Sequence, residues 1–366
     1  MKVRVLPEGA KDYLAEANAM DQELYDVTIV GGGPAGLFSA FYSGLREMKT
    51  KIIEAQPELG GKLHVYPEKL IWDIGGLPPV TGAQLIRQLV RQAMTFEPTV
   101  VLNEKVTAIR KTEAGHFALE TASGRTHLSK SVILAIGGGI IKPQKLGIEG
   151  AEKYEKTNLH YTVQELKRFK GKKVLISGGG HTAVDWANEL VPVAREVHVV
   201  YRGGEFNAHE AQVSQLLRSP AKCLFYTEIR RLIADAQDQT ILKVELINNQ
   251  SGETWAVDAD EVVISHGYDR DTSLLENSAL HLEMANEYCL KSTSCGETSE
   301  PGIFAAGDII HYEGKVHLIA GTFQDAINAV NKAKQFIDPK AKGYAIASSH
   351  NEVFQTRNRE IIASQL

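Results

Sequence analysis

The segment Asp26-Val27-Thr28-Ile29-Val30-Gly31-Gly32-Gly33-Pro34-Ala35-Gly36 decides the fold that we predict for this chain. Its apolar and β-branched residues predict a buried strand, and the glycines followed by Pro34 predict a tight turn into a helix. Gly31, Gly33 and Gly36 fit the pattern G-x-G-x-x-G, in which backbone N–H groups and a helix N-terminus approach a pyrophosphate. The segment therefore predicts a dinucleotide site.

A second predicted strand supports this interpretation. Thr50 to Ile53 are suited to a buried strand, and Glu54 follows it, 18 residues after Gly36. An acid at this place can hold the 2′-hydroxyl of an adenosine ribose. Glycine turns often serve packing alone, but strand, glycines, helix, strand and acid together favour nucleotide binding.

Composition is typical of a cytoplasmic enzyme. The chain has 366 residues, which suggests two domains, and 43% of them are hydrophobic. The net charge of −5 gives no reason to expect a nucleic acid partner. No apolar run approaches the roughly 20 residues of a membrane span, and charged residues interrupt the N-terminal segment where a signal peptide would need an apolar core. We therefore predict no membrane association.

The cysteines exclude several classes of site. Cys223, Cys289 and Cys295 form no C-x-x-C pair, so neither a disulfide framework nor a zinc site is predicted. Cys289 and Cys295 are most simply interpreted as ordinary thiols in a loop rather than as a redox pair. We predict no metal site.

The same pattern of strand, glycine turn and helix occurs a second time. Lys173 to Ser177 predict a strand, and Gly178-Gly179-Gly180-His181-Thr182-Ala183 follows the pattern G-x-G-x-x-A, with a helix from about Thr182 to Leu190. After the next predicted strand, Tyr201 replaces the acid and Arg202 is its neighbour. Loss of the acid removes repulsion against a 2′-phosphate, and an arginine can pair with one, although arginines after strands are also common on surfaces.

The C-terminal part returns to the first site. Gly302 to Asp308 predict a strand ending in Gly-Asp, and Thr322 is predicted to cap the following helix. An acid after a strand can hold polyol hydroxyls, and a helix N-terminus favours negative charge on a ligand. The first domain is therefore predicted to be discontinuous.

The predicted fold class is α/β, with two Rossmann-like three-layer domains, the second inserted into the first. We predict an N-terminal arm (1–25), a first domain (26–146 and 267–340), an inserted domain (147–266) and a C-terminal extension (341–366). Three short alternating segments are predicted to form an antiparallel meander beside the first sheet: Val100 to Leu102, Val106 to Ile109 and His116 to Glu120.

Several motifs resemble one family, the thioredoxin-reductase-like ferredoxin–NADP reductases. They are the first glycine turn, Tyr66-Pro67-Glu68-Lys69, Asp185-Trp186, Phe304-Ala305-Ala306-Gly307-Asp308 and Gly314-Lys315-Val316, and the resemblance covers about residues 25 to 350. It implies a homodimer that holds FAD in the discontinuous domain and NADPH in the inserted one.

The resemblance also implies roles for particular residues. Tyr66 should stack on one face of the isoalloxazine, Asp308 should bind the ribityl chain, and Glu54 should bind the FAD ribose. The other residues that it implies at the flavin site are Gly31, Gly33, Pro34, Ala35, Gly36, Gly61, Lys62, Leu63, Val106, Thr322 and Ser349. For NADP they are Gly178, Gly180, His181, Thr182, Ala183 and Arg202.

The chain departs from the family pattern in two places. The family usually presents two or three arginines to the 2′-phosphate, whereas only Arg202 stands here, with Glu205 close by in sequence. His181 could restore some positive charge when it is protonated. At the C-terminus, relatives place an aromatic ring over the second flavin face, and the ungapped position here is Ala347, with Tyr344 or His350 as substitutes after a local shift.

The predicted reaction needs no acid–base triad, because a flavin carries the redox chemistry. A hydride would pass from NADPH to flavin N5, and single electrons would leave for ferredoxin or flavodoxin, since no dithiol is available. An NAD(P)H-dependent flavin or quinone reductase would share these motifs. A non-catalytic flavin-binding sensor would too, but it would not need the second glycine turn.

Overall fold

The computed structural model describes residues 23–139, 142–269, 271–347 and 351–365. Residues 1–22 of the predicted arm, and Ser349 and His350 of the predicted flavin site, lie outside the described residues.

The described chain contains both β-strands and α-helices. The strands are β1 (Leu24–Val30), β2 (Thr50–Ile53), β3 (Leu70–Ile71), β4 (Val80–Thr81), β5 (Thr99–Val101), β6 (Val106–Lys111), β7 (Phe117–Thr121), β8 (Thr126–Leu134), β9 (Lys142–Pro143), β10 (Leu159–His160), β11 (Lys173–Ser177), β12 (Glu196–Tyr201), β13 (Lys222–Phe225), β14 (Thr227–Ala234), β15 (Ile241–Asn248), β16 (Thr254–Asp258), β17 (Glu261–Ile264), β18 (Tyr268–Asp269), β19 (Leu290–Lys291), β20 (Ile303–Ala305) and β21 (Ile310–His311). The α-helices are α1 (Pro34–Leu45), α2 (Gly82–Ala93), α3 (His181–Leu190), α4 (Glu210–Arg218), α5 (Ser273–Asn277), α6 (Ile319–Ile337) and α7 (Glu352–Gln365).

The chain divides into two compact units. Within the described residues, the first unit contains 23–64, 70–139, 271–347 and 351–365, and the second contains 65–69 and 142–269. The second unit is thus built mainly from a stretch that interrupts the first.

The first unit is built on a sheet with the order β5-β2-β1-β8-β7-β6, in which β20 also pairs with β8. β1 is parallel to both β2 and β8, and its consecutive residues Val27, Thr28 and Ile29, which point to alternate faces, are fully buried. Burial on both faces explains why this strand reads as a continuous apolar run. Helices α1 and α6 pack against each other, with the rings of Phe38 and Phe323 5.0 Å apart.

Two local predictions for this unit were wrong. Val100 to Leu102 was predicted to belong to the meander, but β5 is parallel to β2 at the opposite end of the sheet. Helix α2 lies between β2 and β5, and a helical crossover returns a strand parallel to its predecessor. Thr322 does not cap α6, because the helix begins one turn earlier and Leu318 is its N-cap; the Thr322 hydroxyl donates instead to the Leu318 carbonyl.

The second unit repeats the parallel pattern on a smaller scale. Its main sheet has the order β10-β17-β11-β12-β13, and every neighbouring pair in it is parallel. A separate antiparallel sheet, β14-β15-β16, follows β13. The helix α3 lies directly after β11, so the glycines between them form a strand-to-helix turn like the one after β1.

Residues 65–69 are fixed within the second unit by specific contacts. Lys69 forms an ion pair with Asp185 of α3. The Glu68 carboxylate accepts a hydrogen bond from the Leu166 amide at 2.7 Å. These contacts explain why a short segment of the N-terminal half belongs to the second unit.

A buried ion pair lies at the start of α6 in the first unit. Lys315 pairs with Asp325, and each side chain is only 1% exposed. The Tyr312 hydroxyl donates to Asp325 Oδ1 at 2.8 Å, and the Gly307 amide donates to Asp325 Oδ2 at 3.2 Å. Burial and the neighbouring carboxylate raise the pKa of Tyr312 to about 12. The network joins the turn at Gly307 to α6.

We expect Lys315→Met to destabilise the protein strongly, because it leaves the Asp325 carboxylate buried without its cation. Removing one partner of a buried pair typically costs about 3–5 kcal/mol. The double variant Lys315→Met/Asp325→Leu should recover part of this loss, since it removes both charges. Thermal unfolding measures the effect.

The matched control is Lys291→Met, because the Lys291–Glu283 pair is exposed. Its melting temperature should equal that of the wild type, since exposed pairs contribute little. A Lys315→Met protein that unfolds at the wild-type temperature would contradict the role given to the buried pair.

Candidate functional site

The turn after β1 is shaped by close backbone approaches. Gly31 has φ +108°, and a Cβ atom there would lie 2.5 Å from the Ala135 carbonyl oxygen. A Cβ atom on Gly36 would lie 1.9 Å from the Gly31 carbonyl oxygen. Gly33 differs, because the nearest atom to its Cβ position is Gly61 Cα at 3.7 Å. Chain packing therefore requires glycine at the first and last positions, while the middle one leaves room for a Cβ atom.

Glu54 holds this turn in place through hydrogen bonds. Its side chain is buried, Oε2 accepts a hydrogen bond from the Gly32 amide at 2.6 Å, and Oε1 accepts one from the Gln56 amide at 2.8 Å. A carboxylate has about four acceptor sites, so two bonds leave capacity for a ligand hydroxyl. The structure thus gives Glu54 a structural role in addition to the predicted ribose contact.

A second glycine loop lies against the turn. The Gly60 amide donates to the Gly32 carbonyl at 2.8 Å, and a Cβ atom on Gly61 would lie 2.8 Å from Gly33 Cα. Lys62 and Leu63 follow in a short 3₁₀ helix, where Leu63 is buried. The predicted residues 61–63 are therefore brought next to the first turn.

The C-terminal part of the first unit packs against the residues that follow this turn. Gly307 has φ +86°, and a Cβ atom on it would lie 3.0 Å from Ala35 Cβ and 3.6 Å from Thr322 Cγ2. Asp308 follows with a half-exposed side chain, and its Oδ1 lies 3.5 Å from His317 Nδ1. Ala35, Gly307 and Thr322 are thus neighbours in space, and Asp308 follows Gly307 in the chain.

The contacts of the other predicted flavin residues are found within their own units. Tyr66 belongs to the second unit and packs against its apolar core, and Val106 is buried in the core of the first unit. Tyr344 and Ala347 are both exposed. The stretch that carries them is held at Ala345, whose amide and carbonyl both bond the Tyr42 hydroxyl. The roles of these residues at a flavin stay predictions.

The second unit contains a cavity of ≈ 530 Å³ at its glycine turn. Gly178 has φ +149°, and a Cβ atom there would lie 2.3 Å from the Ser265 carbonyl oxygen, whereas a Cβ atom on Gly180 would meet nothing within 4 Å. The middle glycine of this motif therefore faces open space. His181 and Thr182 line the cavity at the N-terminus of α3, and Ala183 is buried behind them.

Tyr201 occupies the place that Glu54 has in the first unit. A Cβ atom on Gly179 would lie 2.4 Å from the Tyr201 ring, just as one on Gly32 would lie 3.1 Å from the Glu54 carboxylate. The ring packs under the turn without adding charge. The cavity wall therefore lacks the acid that would oppose a phosphate at this point.

Arg202 and Glu228 bring charge to the cavity wall, and His266 also lines it. Across the residues that the structure describes, Arg202 has no ion-pair partner, so its guanidinium is available to a ligand. His266 Nε2 lies 2.8 Å from Ser177 Oγ. Desolvation in the cavity lowers the pKa of His266, and Arg202 lowers it further, while Glu228 acts in the opposite direction.

Two of these residues were missed in the sequence. Glu228 is the second residue of a strand that has no glycine motif near it, so no sequence pattern indicated that it lines a site. Glu205, the acid noted beside Arg202, is exposed and does not line the cavity. His266 could have been found from the sequence, because it comes just after a buried strand, and Gly178 of the glycine motif has the same kind of position. His181 contacts a further histidine, His209, at 4.5 Å between ring centroids.

The described part of the chain shows no cluster of three or more His, Cys, Asp or Glu side chains that could hold a metal ion. Within the same residues, no helix is both long enough and apolar enough to span a membrane. Cys223, Cys289 and Cys295 are all free thiols.

Comparison with known proteins gives three concordant findings. The family model described as pyridine nucleotide-disulphide oxidoreductase matches residues 25–333. The chain is 62% identical to ferredoxin–NADP reductase 1 of Bacillus licheniformis, over 93% of this chain and 97% of that protein. It is 59% identical to ferredoxin–NADP reductase 2 of Exiguobacterium sibiricum, with the same two coverages of 93% and 97%.

Solved structures agree on the architecture. Thioredoxin reductase of Lactococcus lactis matches with a TM-score of 0.71 at 24% identity, over 86% of this chain and 99% of that one. Thioredoxin reductase of T. acidophilum matches with a TM-score of 0.72, at the same identity of 24% and coverages of 86% and 99%. The predicted fold class is confirmed.

We expect Gly33 and Gly36 to respond differently to substitution by alanine. Gly33→Ala should leave the melting temperature nearly unchanged, because its Cβ has room and its backbone is extended. Gly36→Ala should lower the melting temperature by about 5 °C or more, because its Cβ would overlap the Gly31 carbonyl. Calorimetry of flavin-free protein measures both, and equal stability of the two variants would contradict this reading of the turn.

Proposed function

The chain belongs to the pyridine nucleotide-disulphide oxidoreductase family, and we propose that it is an FAD-dependent ferredoxin–NADP(+) oxidoreductase. The observation that carries the proposal is the pair of glycine turns, one in each unit, whose middle glycines, Gly33 and Gly180, both leave room for a Cβ atom. The 62% identity to a protein named ferredoxin–NADP reductase 1 supports the choice of reaction. The enzyme exchanges a hydride with NADP(H) and single electrons with ferredoxin or flavodoxin.

The first unit is the FAD domain in this proposal. The amides of the first turn and the N-terminus of α1 receive the pyrophosphate, where Gly33 leaves a path free of side chains. Glu54 uses its remaining acceptor sites for the adenosine ribose, and Asp308 binds the ribityl hydroxyls. The N-terminus of α6 stabilises negative charge at the pyrimidine end. The bound flavin supplies the redox chemistry, since it can accept a hydride and release electrons one at a time.

The second unit is the NADP(H) domain. The turn at Gly180 and the N-terminus of α3 receive the pyrophosphate in the ≈ 530 Å³ cavity. Arg202 holds the 2′-phosphate, and Tyr201 adds no charge against it. His181 lines the same cavity at the N-terminus of α3.

Electrons leave the flavin without passing through a thiol pair. The sequence contains no C-x-x-C, and Cys223, Cys289 and Cys295 are free. Burial raises the pKa of the Cys223 thiol, so its reactive thiolate is disfavoured at neutral pH. The acceptor is therefore a one-electron carrier protein rather than a disulfide.

The active form in this proposal is a cytoplasmic homodimer. The first unit exposes several large apolar side chains near both ends of α6 and in the C-terminal stretch, which a second copy of the chain would cover. They are Val316, Leu318, Phe336, Tyr344 and Ile346. Free thiols are typical of a reducing compartment. Analytical ultracentrifugation measures the association.

We expect the purified protein to be yellow with bound FAD and to reduce ferredoxin or flavodoxin with NADPH. The variant that carries Cys223→Ser, Cys289→Ser and Cys295→Ser should keep the wild-type rate within a few-fold, because no thiol takes part. Anaerobic steady-state assays with ferredoxin, flavodoxin and a quinone as acceptors measure this. A quinone rate far above both protein rates would contradict the proposed acceptor, and an inactive thiol-free variant that retains FAD would contradict the direct route.

We expect Arg202→Ala to remove most of the preference for NADPH over NADH. A hydrogen bond to a charged group contributes about 1.5–3 kcal/mol, on the order of 10- to 150-fold in affinity, and exposure of Arg202 favours the lower end. The ratio of kcat/KM for NADPH to that for NADH measures the effect. Arg218→Ala is the control, since Arg218 lies on α4 and does not line the cavity. A ratio that survives in Arg202→Ala would show that another group reads the phosphate.

A further inference from the structure

The cavity of the second unit carries an acid beside its arginine. Glu228, the second residue of β14, lines the same cavity as Arg202. Its charge has the wrong sign for a phosphate ligand. The presence of an acid in this cavity wall must therefore be explained by the ligand that the cavity binds.

Backbone contacts place Glu228 next to the loop that carries Arg202. β13 runs parallel to β12, so that Phe225 pairs with Tyr201. The next residue, Tyr226, donates its amide hydrogen to the Gly203 carbonyl at 3.1 Å. Glu228 follows two residues later, so the strand that bears it starts against the loop after β12.

Electrostatics confirm that the charges share one region. Arg202 and Glu228 both act on the ring of His266, in opposite directions, as the shift in the pKa of that histidine shows. Within the described residues, neither Arg202 nor Glu228 has an ion-pair partner. Two unpaired opposite charges on one wall are both available to a ligand.

The geometry points to Glu228 as a specificity-determining residue that opposes Arg202 at the 2′ position of the bound nucleotide. The inference rests on the proposed function of this cavity. Arg202 attracts a 2′-phosphate, and Glu228 repels it. When the ligand has a 2′-hydroxyl instead, the Glu228 carboxylate accepts its hydrogen bond, as acids at ribose sites do. The affinities of the protein for the two nucleotides are thereby closer to each other than they would be with Arg202 alone.

The strength of this opposition depends on salt. Both side chains are exposed, so mobile ions screen their fields over about 8–10 Å at ordinary ionic strength. A 2′-phosphate carries about −1.5 to −2 charges at neutral pH, so its repulsion by Glu228 exceeds that between two single charges. The effect of removing Glu228 should therefore be larger at low salt than at high salt.

The test is calorimetric titration of the flavin-loaded protein with NADP⁺ and with NAD⁺, at low and high salt. Neither titration involves electron transfer. Glu228→Gln keeps the size of the side chain and removes its charge. We expect it to raise the ratio of Kd for NAD⁺ to Kd for NADP⁺ about 3- to 10-fold at low salt, and less at high salt. The matched control is Glu205→Gln, an exposed acid three residues from Arg202 that does not line the cavity, and it should leave the ratio within twofold.

The outcomes separate the two proposals. If both nucleotides bind the wild type and Glu228→Gln leaves the ratio unchanged, or changes it no more than Glu205→Gln does, the role of Glu228 is refuted and the proposed function stands. If neither nucleotide binds the wild type, the assignment of the cavity to NADP(H) fails, and the inference fails with it. A raised ratio in Glu228→Gln alone, reduced by salt, supports both.

Discussion

The close approach of backbones at the two glycine turns is the constraint on which the rest of the structure depends. In the first unit, the Gly31 Cα lies so near the Ala135 carbonyl that no side chain fits, and Gly36 meets Gly31 in the same way. In the second unit, Gly178 meets Ser265. In both units the approach brings the end of a central strand against the end of a neighbouring strand, and in the first unit it also fixes the start of the next helix. In the proposed function, the middle glycines Gly33 and Gly180 receive their ligands beside these points.

The two turns differ in what lies beneath them, and this difference separates their ligands. A buried carboxylate supports the first turn, since Glu54 accepts the Gly32 amide hydrogen at 2.6 Å. An uncharged ring supports the second, since Tyr201 packs under Gly179. An acid suits a free ribose hydroxyl, whereas a ring leaves room for a phosphate and for a cation such as Arg202. In the proposed function, the same fold element thus serves two nucleotides through one exchanged side chain.

The sequence predicted what local patterns determine. Glycine spacing, buried strands and the loss of the acid at Tyr201 could all be read within short windows, and the parallel architecture followed from their order. The position of β5 could not be read in this way, because the choice of sheet edge depends on the crossover through α2. Glu228 was missed for a related reason: it reaches the cavity only because β13 pairs with β12. Burial of Lys315 was equally hidden, since a lysine is ordinarily exposed.

In two places, the first unit uses a buried carboxylate to bring distant segments together. Glu54 accepts the amide hydrogen of Gly32, and Asp325 accepts that of Gly307, so a buried carboxylate fixes a glycine turn in each case. Asp325 is neutralised by Lys315, and a buried pair of this kind contributes more to position than to stability. Glu54 has backbone amides as its partners instead, which satisfy the carboxylate without cancelling its charge. Asp325 is therefore committed to holding the turn that presents Asp308, whereas Glu54 holds its own turn and still offers acceptor sites to a ligand.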